Sequence, residues 1–117
     1  MYKVAVVGSR HFTDRDYIYK TLDAYHEKHG ILWLISGGAQ GTDQIAEQWG
    51  RDRQVEAVLS FPAQWDKLGR SAGPVRNQKI VSWCNVLIAF LKDNSIGTAN
   101  SITKARDAGK KVYIMRV

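Results

Sequence analysis

Two packets of small and hydroxyl-bearing residues offer the clearest chemistry in this chain: Ser36-Gly37-Gly38-Ala39-Gln40-Gly41-Thr42-Asp43, and Ser95-Ile96-Gly97-Thr98. Gly37, Gly38 and Gly41 have no Cβ. The chain can therefore turn sharply there and expose successive N–H groups, which at a helix N-terminus point at a bound anion. A phosphate fits that description. A tight turn needing positive φ is the competing reading of the first packet alone, and the second packet, at the start of another predicted helix, shifts the balance towards a ligand. Ser9, Ser36, Thr42 and Thr98 can donate hydroxyls to a phosphate, while capping explains the threonines equally well.

Cationic and aromatic residues extend the pattern. Arg10 follows the Gly8-Ser9 pair, and Arg76 falls in the first turn of a predicted helix, where the dipole disfavours a cation unless it serves an anion. Arg70, in the Lys67–Gly73 segment, can close over a ligand or lie on the surface. Trp65 offers either a stacking face for a base or simple packing, whereas Trp33, inside a predicted strand, is expected in the core. Asp43 reads first as a first-turn cap, then as a ribose ligand, and last as a catalytic group. His11 is the only histidine near the same edge and is expected to be a solvated loop residue; His26 and His29 read as surface and packing groups. No Ser/His/Asp arrangement emerges.

The elements that must position these residues alternate regularly. Lys3–Val7 reads as a buried strand, and Thr13-Asp14-Arg15-Asp16 as a capping box opening a helix with Ile18, Leu22, Tyr25 and His29 on one face. Leu32–Ser36 is a second strand. Thr42 to about Arg51 is a helix that points Ile45, Ala46 and Trp49 one way, and Glu56–Ser60 a third strand. Phe61–Gly73 is irregular. Pro74 then stands in the first turn of a helix running to about Trp83, followed by a strand at Asn85–Phe90, a helix at Gly97–Ala108 capped by Gly109, and a strand at Lys111–Met115. Short apolar strands between helices imply a parallel sheet covered on both faces, that is, a single α/β Rossmann-like three-layer domain with about five strands spanning 1–117. In such sheets the ligand crevice lies beyond the carboxyl ends of the strands, where both packets fall.

Composition bounds the rest. The 117 residues, 44% of them hydrophobic, suit one compact domain. No apolar run approaches the roughly 20 residues of a membrane span and the N-terminus lacks a signal-peptide pattern, so no membrane partner and a cytoplasmic location are expected. The formal charge of +6 and a pI near 9.6 favour acidic partners such as phosphates, nucleotides or nucleic acid. One cysteine, Cys84, cannot make an internal disulfide, nor, with three histidines, a zinc site of several thiolates; it is assigned to the core beside Ile80 and Val81, and no metal is expected. No G-x-G-x-x-G follows the first strand, and the only Gly-Lys pair, Gly109-Lys110, precedes a strand rather than a helix. Neither a dinucleotide cofactor site nor a P-loop is supported, and no cofactor is expected.

A set of motifs then resembles a known family. Gly8-Ser9-Arg10, Ser36-Gly37-Gly38-Ala39 with Gly41 and Asp43, Pro62-Ala63 with Trp65, Gly69-Arg70 with Ala72-Gly73, Arg76-Asn77, and Gly97-Thr98 are similar to the YspA-type, YpsA-related branch of the SLOG superfamily. That superfamily also holds the cytokinin-activating nucleoside-monophosphate phosphoribohydrolases and DprA, whose Ser-Gly-Gly-Ala-type motif resembles Ser36–Asp43. The resemblance implies a Rossmann-like nucleotide-binding fold, with Asn77 and Ala39 joining the candidate ligand-binding residues. It also locates a departure: Asn100 stands where the phosphoribohydrolases carry a catalytic acid, and an amide cannot act as a general base but can hydrogen-bond a ribose hydroxyl or phosphate, so Asn100 is a candidate ligand-binding residue.

Three function classes follow. The leading expectation is a binder or sensor of a nucleotide or an ADP-ribose-like molecule that is not an enzyme. The second is a nucleotide-processing enzyme, a phosphoribohydrolase or related hydrolase or transferase, and the third a nucleic-acid-binding module related to DprA. A homo-oligomer is compatible with a seam supplied by Trp49 and Trp83, although covering the sheet explains both.

Overall fold

Why the chain places its loops on one edge follows from its central strand. In the computed structural model, which describes residues 1–117, the Val4–Val7 run makes β1 (Tyr2–Gly8) the middle of a five-stranded, wholly parallel sheet in the order β3-β2-β1-β4-β5. The chain moves outward from β1 through α1 (Arg15–His29), β2 (Ile31–Ser36) and α2 (Thr42–Asp52) to the edge strand β3 (Ala57–Ser60). It then passes through α3 (Trp65–Leu68), a 3-10 turn (Gly69–Ser71) and α4 (Ala72–Trp83), and crosses back to β4 (Val86–Leu91) on the other side of β1. α5 (Ile96–Asp107) and β5 (Lys111–Arg116) complete the order. The direction of winding reverses between β1 and β4. A crevice opens at their carboxyl ends for that reason.

The three layers are held by two cores. Ile18 and Leu22 of α1 and Ala46 and Trp49 of α2 pack on Val4, Val6, Leu34, Ile88 and Phe90. On the opposite face, Ile80 and Val81 of α4, Cys84, and Ile102 and Ala105 of α5 pack on Ala5, Val7, Ile35, Leu87 and Ala89. Trp49 is fully buried, with its Nε1 donating to Asp23 Oδ1 at 2.8 Å. Truncating a side chain of that size to alanine costs about 3–5 kcal/mol.

Several local expectations shift. Asp14, not Thr13, caps α1: its carboxylate accepts from the Tyr17 N–H at 3.1 Å, and Asp14 carries the non-helical backbone that an N-cap requires. The Phe61–Gly73 segment contains the single turn α3, too short to show a helical period. His26 is structural rather than superficial, since its Nδ1 accepts from the Ile31 N–H at 2.8 Å. Trp33 is only half-buried, because α4 packs on β1 and β2 and leaves the β3 margin of this face to side chains. Trp49 lies wholly inside and offers no seam, whereas Trp83 is 46% exposed. No helix is long and apolar enough to cross a membrane.

Candidate functional site

At the carboxyl ends of β1 and β4 lies an open cleft of about 660 Å³ lined mostly by polar and charged residues, with Val7 and Ile80 on its floor side. The β1–α1 loop contributes Gly8, Ser9, Arg10 and His11, and the β4–α5 loop contributes Lys92, Asp93, Asn94 and Ser95. Ala39 and Asp43 come from the β2–α2 junction, Arg76 and Asn77 from α4, and Gly97, Thr98 and Ser101 from α5. Four segments far apart in sequence thus converge on one surface.

The anion-attracting elements are concentrated at α5. Ser95 is its N-cap, but the Ser95 hydroxyl bonds the Thr98 hydroxyl at 2.9 Å rather than a backbone amide. The N–H groups of Ile96, Gly97 and Thr98 have no protein acceptor; the first helical bond is Ala99 N–H to Ser95 O at 3.0 Å. Those amides carry the positive end of the helix dipole. Nothing stands within 4 Å of a Cβ built on Gly97, so the backbone there is open to approach. Lys92 donates to the His11 carbonyl at 3.3 Å, which ties the two loops across the cleft. Arg10 is exposed beside His11.

The Ser36–Asp43 packet behaves differently. Its polar groups are largely consumed by one another and by neighbouring loops. Ser36 is fully buried; its hydroxyl donates to the Glu47 carboxylate and accepts from the Gly38 N–H at 3.2 Å. The Ala39 N–H donates to Asp43 Oδ2 at 3.2 Å. Thr42 Oγ1 lies 3.0 Å from the Ser9 carbonyl and 3.1 Å from that of Phe12, its one proton shared between them. Gly41 has φ +77°, and a Cβ there would lie 2.3 Å from the Arg10 carbonyl oxygen. A Cβ on Gly8 would lie 2.6 Å from the Thr42 side chain. These small residues let the β1–α1 and β2–α2 loops press together.

The packet therefore reaches the cleft only through Ala39 and Asp43. Ser36, Gly37, Gly41 and Thr42 stand behind the wall and Gly38 lines a separate opening beside Glu47 and Ser60, so of the Gly37–Thr42 stretch only Ala39 shares the cleft with Gly8–Arg10 and Gly97–Thr98. Trp65 and Arg70 also lie outside it: Trp65 is 59% exposed, on the one-turn helix α3, and Arg70 is exposed in the 3-10 turn. Asn100 stands behind Asn77, whose amide donates to Asn100 Oδ1 at 3.1 Å. Arg76 joins the two regions, since its Nη1 donates to the Gly37 carbonyl at 3.0 Å and its Nε to Asn77 Oδ1 at 3.0 Å.

Asp43 is electrostatically unusual. Burial of its carboxyl, 6% exposed, raises its pKa from 3.8 to about 6, against the opposing pull of the Ala39 N–H, the Arg76 guanidinium and the Gly37 N–H. Glu47, one helical turn on, adds to the rise. A carboxyl group with a displaced pKa in a cleft wall is the kind of group that functional sites contain.

Sequence reasoning overlooked Lys92, Asp93, Asn94 and Glu47. The first three follow β4 directly, so the carboxyl-edge rule was signal enough for them. Glu47 gave none: it is charged, sits beside Ala46 and Trp49, and its 9% exposure depends on Ser36 eleven residues away.

Comparison with known proteins places this geometry. Two solved structures share the fold: DNA processing protein A (DprA) of Streptococcus pneumoniae, at 20% identity and TM-score 0.76, and that of Helicobacter pylori, at 20% identity and TM-score 0.69. Each match covers 98% of this chain, but the chain spans only 50% and 65% of those two proteins. Gene 61 protein of Mycobacterium phage D29 is 33% identical over 115 residues, covering 93% of this chain and 92% of the phage protein. Residues 2–68, from β1 through α3, match a described family, and the chain belongs to it: the YspA, cpYpsA-related SLOG family.

Proposed function

We propose that the chain binds the phosphate group of a nucleotide or nucleotide-derived molecule, of nucleoside phosphate or ADP-ribose type, in the cleft between β1 and β4. The observation that carries this reading is the convergence of Arg10, Lys92 and Arg76 on one concave surface with Gly97 and Thr98, whose amides, like that of Ile96 beside them, have no protein acceptor. Amides at a helix N-terminus and charged donors together favour a phosphate over a neutral ligand. Asp43, on the wall beside Arg76, supplies an acceptor for a ribose hydroxyl. A carboxylate at that place repels phosphate, so it fits the sugar end of the ligand.

The reading is of a binder rather than a phosphoribohydrolase. Asn100 occupies the position of the acid in those enzymes, and its amide oxygen is already engaged by Asn77. Amides do not titrate near neutrality. A second reading, in which the bound nucleotide belongs to a single strand, draws on the formal charge of +6 and on the fold shared with the H. pylori protein, whose structure is described as showing a single-stranded DNA binding mode.

A thermal-shift screen with nucleoside mono- and diphosphates and ADP-ribose tests the proposal. Saturable stabilisation by at least one of them, lost in Arg76→Gln and weakened in Arg10→Ala, is expected. A wild-type midpoint that no nucleotide moves at millimolar concentration would sink it.

A further inference from the structure

The sheet is unevenly covered. α5 packs on β1, β4 and β5, and α4 on β1 and β2. The β3 margin of that face is closed instead by Trp33, Leu59 and Phe61, each only partly buried against the core. Beside them stands Trp83, in the last turn of α4 and 46% exposed. Its ring centroid is 6.3 Å from that of Trp33 and 6.1 Å from that of Phe61, with interplanar angles of 35° and 37°. Two lysines are interleaved with these rings. Lys3 Nζ lies 4.4 Å from the Trp33 centroid and Lys79 Nζ 5.4 Å from that of Phe61. Lys79 and Trp83 are one helical turn apart on α4, and Trp83, in its last turn, stands about two turns along the axis from Arg76 and Asn77 at the cleft end. The cluster also contains Trp33 Nε1, the one buried side-chain polar atom without a hydrogen-bond partner.

Aromatic faces alternating with ammonium groups match a polymer whose bases stack and whose phosphates carry charge. A second copy of the chain matches less well. The partly exposed rings present on the order of a few hundred Å², against about 800 Å² per partner in a standard interface. A twofold pairing on this face would also bring its lysines towards their own copies. We infer that the carboxyl-terminal half of α4 and the adjoining β3 margin, through Trp83, Phe61, Lys79, Lys3 and Trp33, form a binding surface for single-stranded nucleic acid, separate from the cleft and independent of what the cleft holds. The strand lays a base on Trp83, and its phosphates meet Lys79 and Lys3.

Fluorescence anisotropy of a labelled oligothymidylate of about 20 nucleotides, with the full chain at low salt, tests this surface. Trp83→Ala is expected to weaken binding about tenfold, and Lys79→Glu to weaken it and lower the salt dependence by about one counterion. Both variants should keep the wild-type response to mononucleotides, which distinguishes this surface from the cleft. Should Trp83→Ala lower the thermal midpoint, Lys79→Glu and Trp83→Phe carry the test, the latter keeping most of the binding because it keeps an aromatic face. A duplex of the same length should bind more weakly, since its bases are already stacked. The inference is overturned if the wild type does not bind the oligonucleotide, or if the duplex binds as well as the single strand. Binding that Lys79→Glu and Trp83→Ala leave untouched while Arg10→Ala abolishes it would overturn it too, as would a dimer in sedimentation that Trp83→Ala dissolves.

Discussion

Replacing Asp43 by asparagine removes a charge that the fold holds against its own stability. The carboxyl is 6% exposed, and burial raises its pKa from 3.8 to about 6. A folded-state value above the unfolded one means that the native state holds the proton more tightly. The stabilising contribution is therefore complete below about pH 3.8, is lost as pH rises through about 6, and is absent at neutrality. A rise from 3.8 to about 6 corresponds to ~3 kcal/mol across that window. Asparagine keeps an oxygen for the Ala39 N–H but cannot ionise, so this slope disappears; the lost attraction to Arg76 returns part of the gain. Urea unfolding of both proteins from pH 4 to 8 isolates the effect, because titrating groups that do not interact with Asp43 cancel in the difference and Glu47, which does, belongs to the same coupled pair. The variant should be more stable than the wild type at pH 7.5 by about 1–3 kcal/mol, with the difference vanishing or reversing near pH 4. A variant that is less stable than the wild type at pH 7.5, with a flat difference across the range, would show that Asp43 is an ordinary stabilising cap.

Three further outcomes follow from the loop contacts and from the proposed role of Asn100. Gly41→Ala, at φ +77° with the Arg10 carbonyl oxygen 2.3 Å from the new Cβ, should destabilise by more than about 1 kcal/mol and loosen the β1–α1 loop, read as a lowered thermal midpoint. Thr42→Val strands the Ser9 and Phe12 carbonyls and should cost about 1–3 kcal/mol in denaturant unfolding, whereas Thr42→Ser should recover most of it. The wild type should release no free base from nucleoside monophosphates above a no-protein control, as followed by chromatography; robust release would refute the account of Asn100, and Asn100→Glu is the substitution expected to confer a trace.

Much of the frame was legible because it is local. The apolar runs of β1 and β4 and the helical spacing of Ile18 and Leu22 state their own periods, and the carboxyl-edge rule brought Gly8–Arg10 and Gly97–Thr98 to a common cleft, with Arg76 added by its place in a first helical turn. What was hidden depends on distant partners. The glycines of the first packet looked open to a ligand because the residues that fill the space beside them are far off in sequence: Arg10 against Gly41, Arg76 against Gly37, and Ser60 against Gly38. Trp33 was placed in the core because a strand pattern does not say how far a crossing helix will extend over the sheet. The single turn of α3 is shorter than any period that could announce it. Glu47 was overlooked because a charged residue in a helix is ordinarily solvated, and its burial rests on Ser36 and the sheet beneath.

The claim that the α5 N-terminus receives a phosphate is tested most directly by amide chemical shifts recorded while nucleoside phosphates and ADP-ribose are titrated into the labelled wild-type protein. The account predicts saturable movement of the Ile96, Gly97 and Thr98 amides, accompanied by Gly8–Arg10 across the cleft, with the Gly38 and Ala39 amides moving less because Ser36 and Asp43 already hold them. Saturable shifts centred on Gly37–Thr42 while residues 96–98 stay still, or no saturable shift with any of these nucleotides, would contradict it.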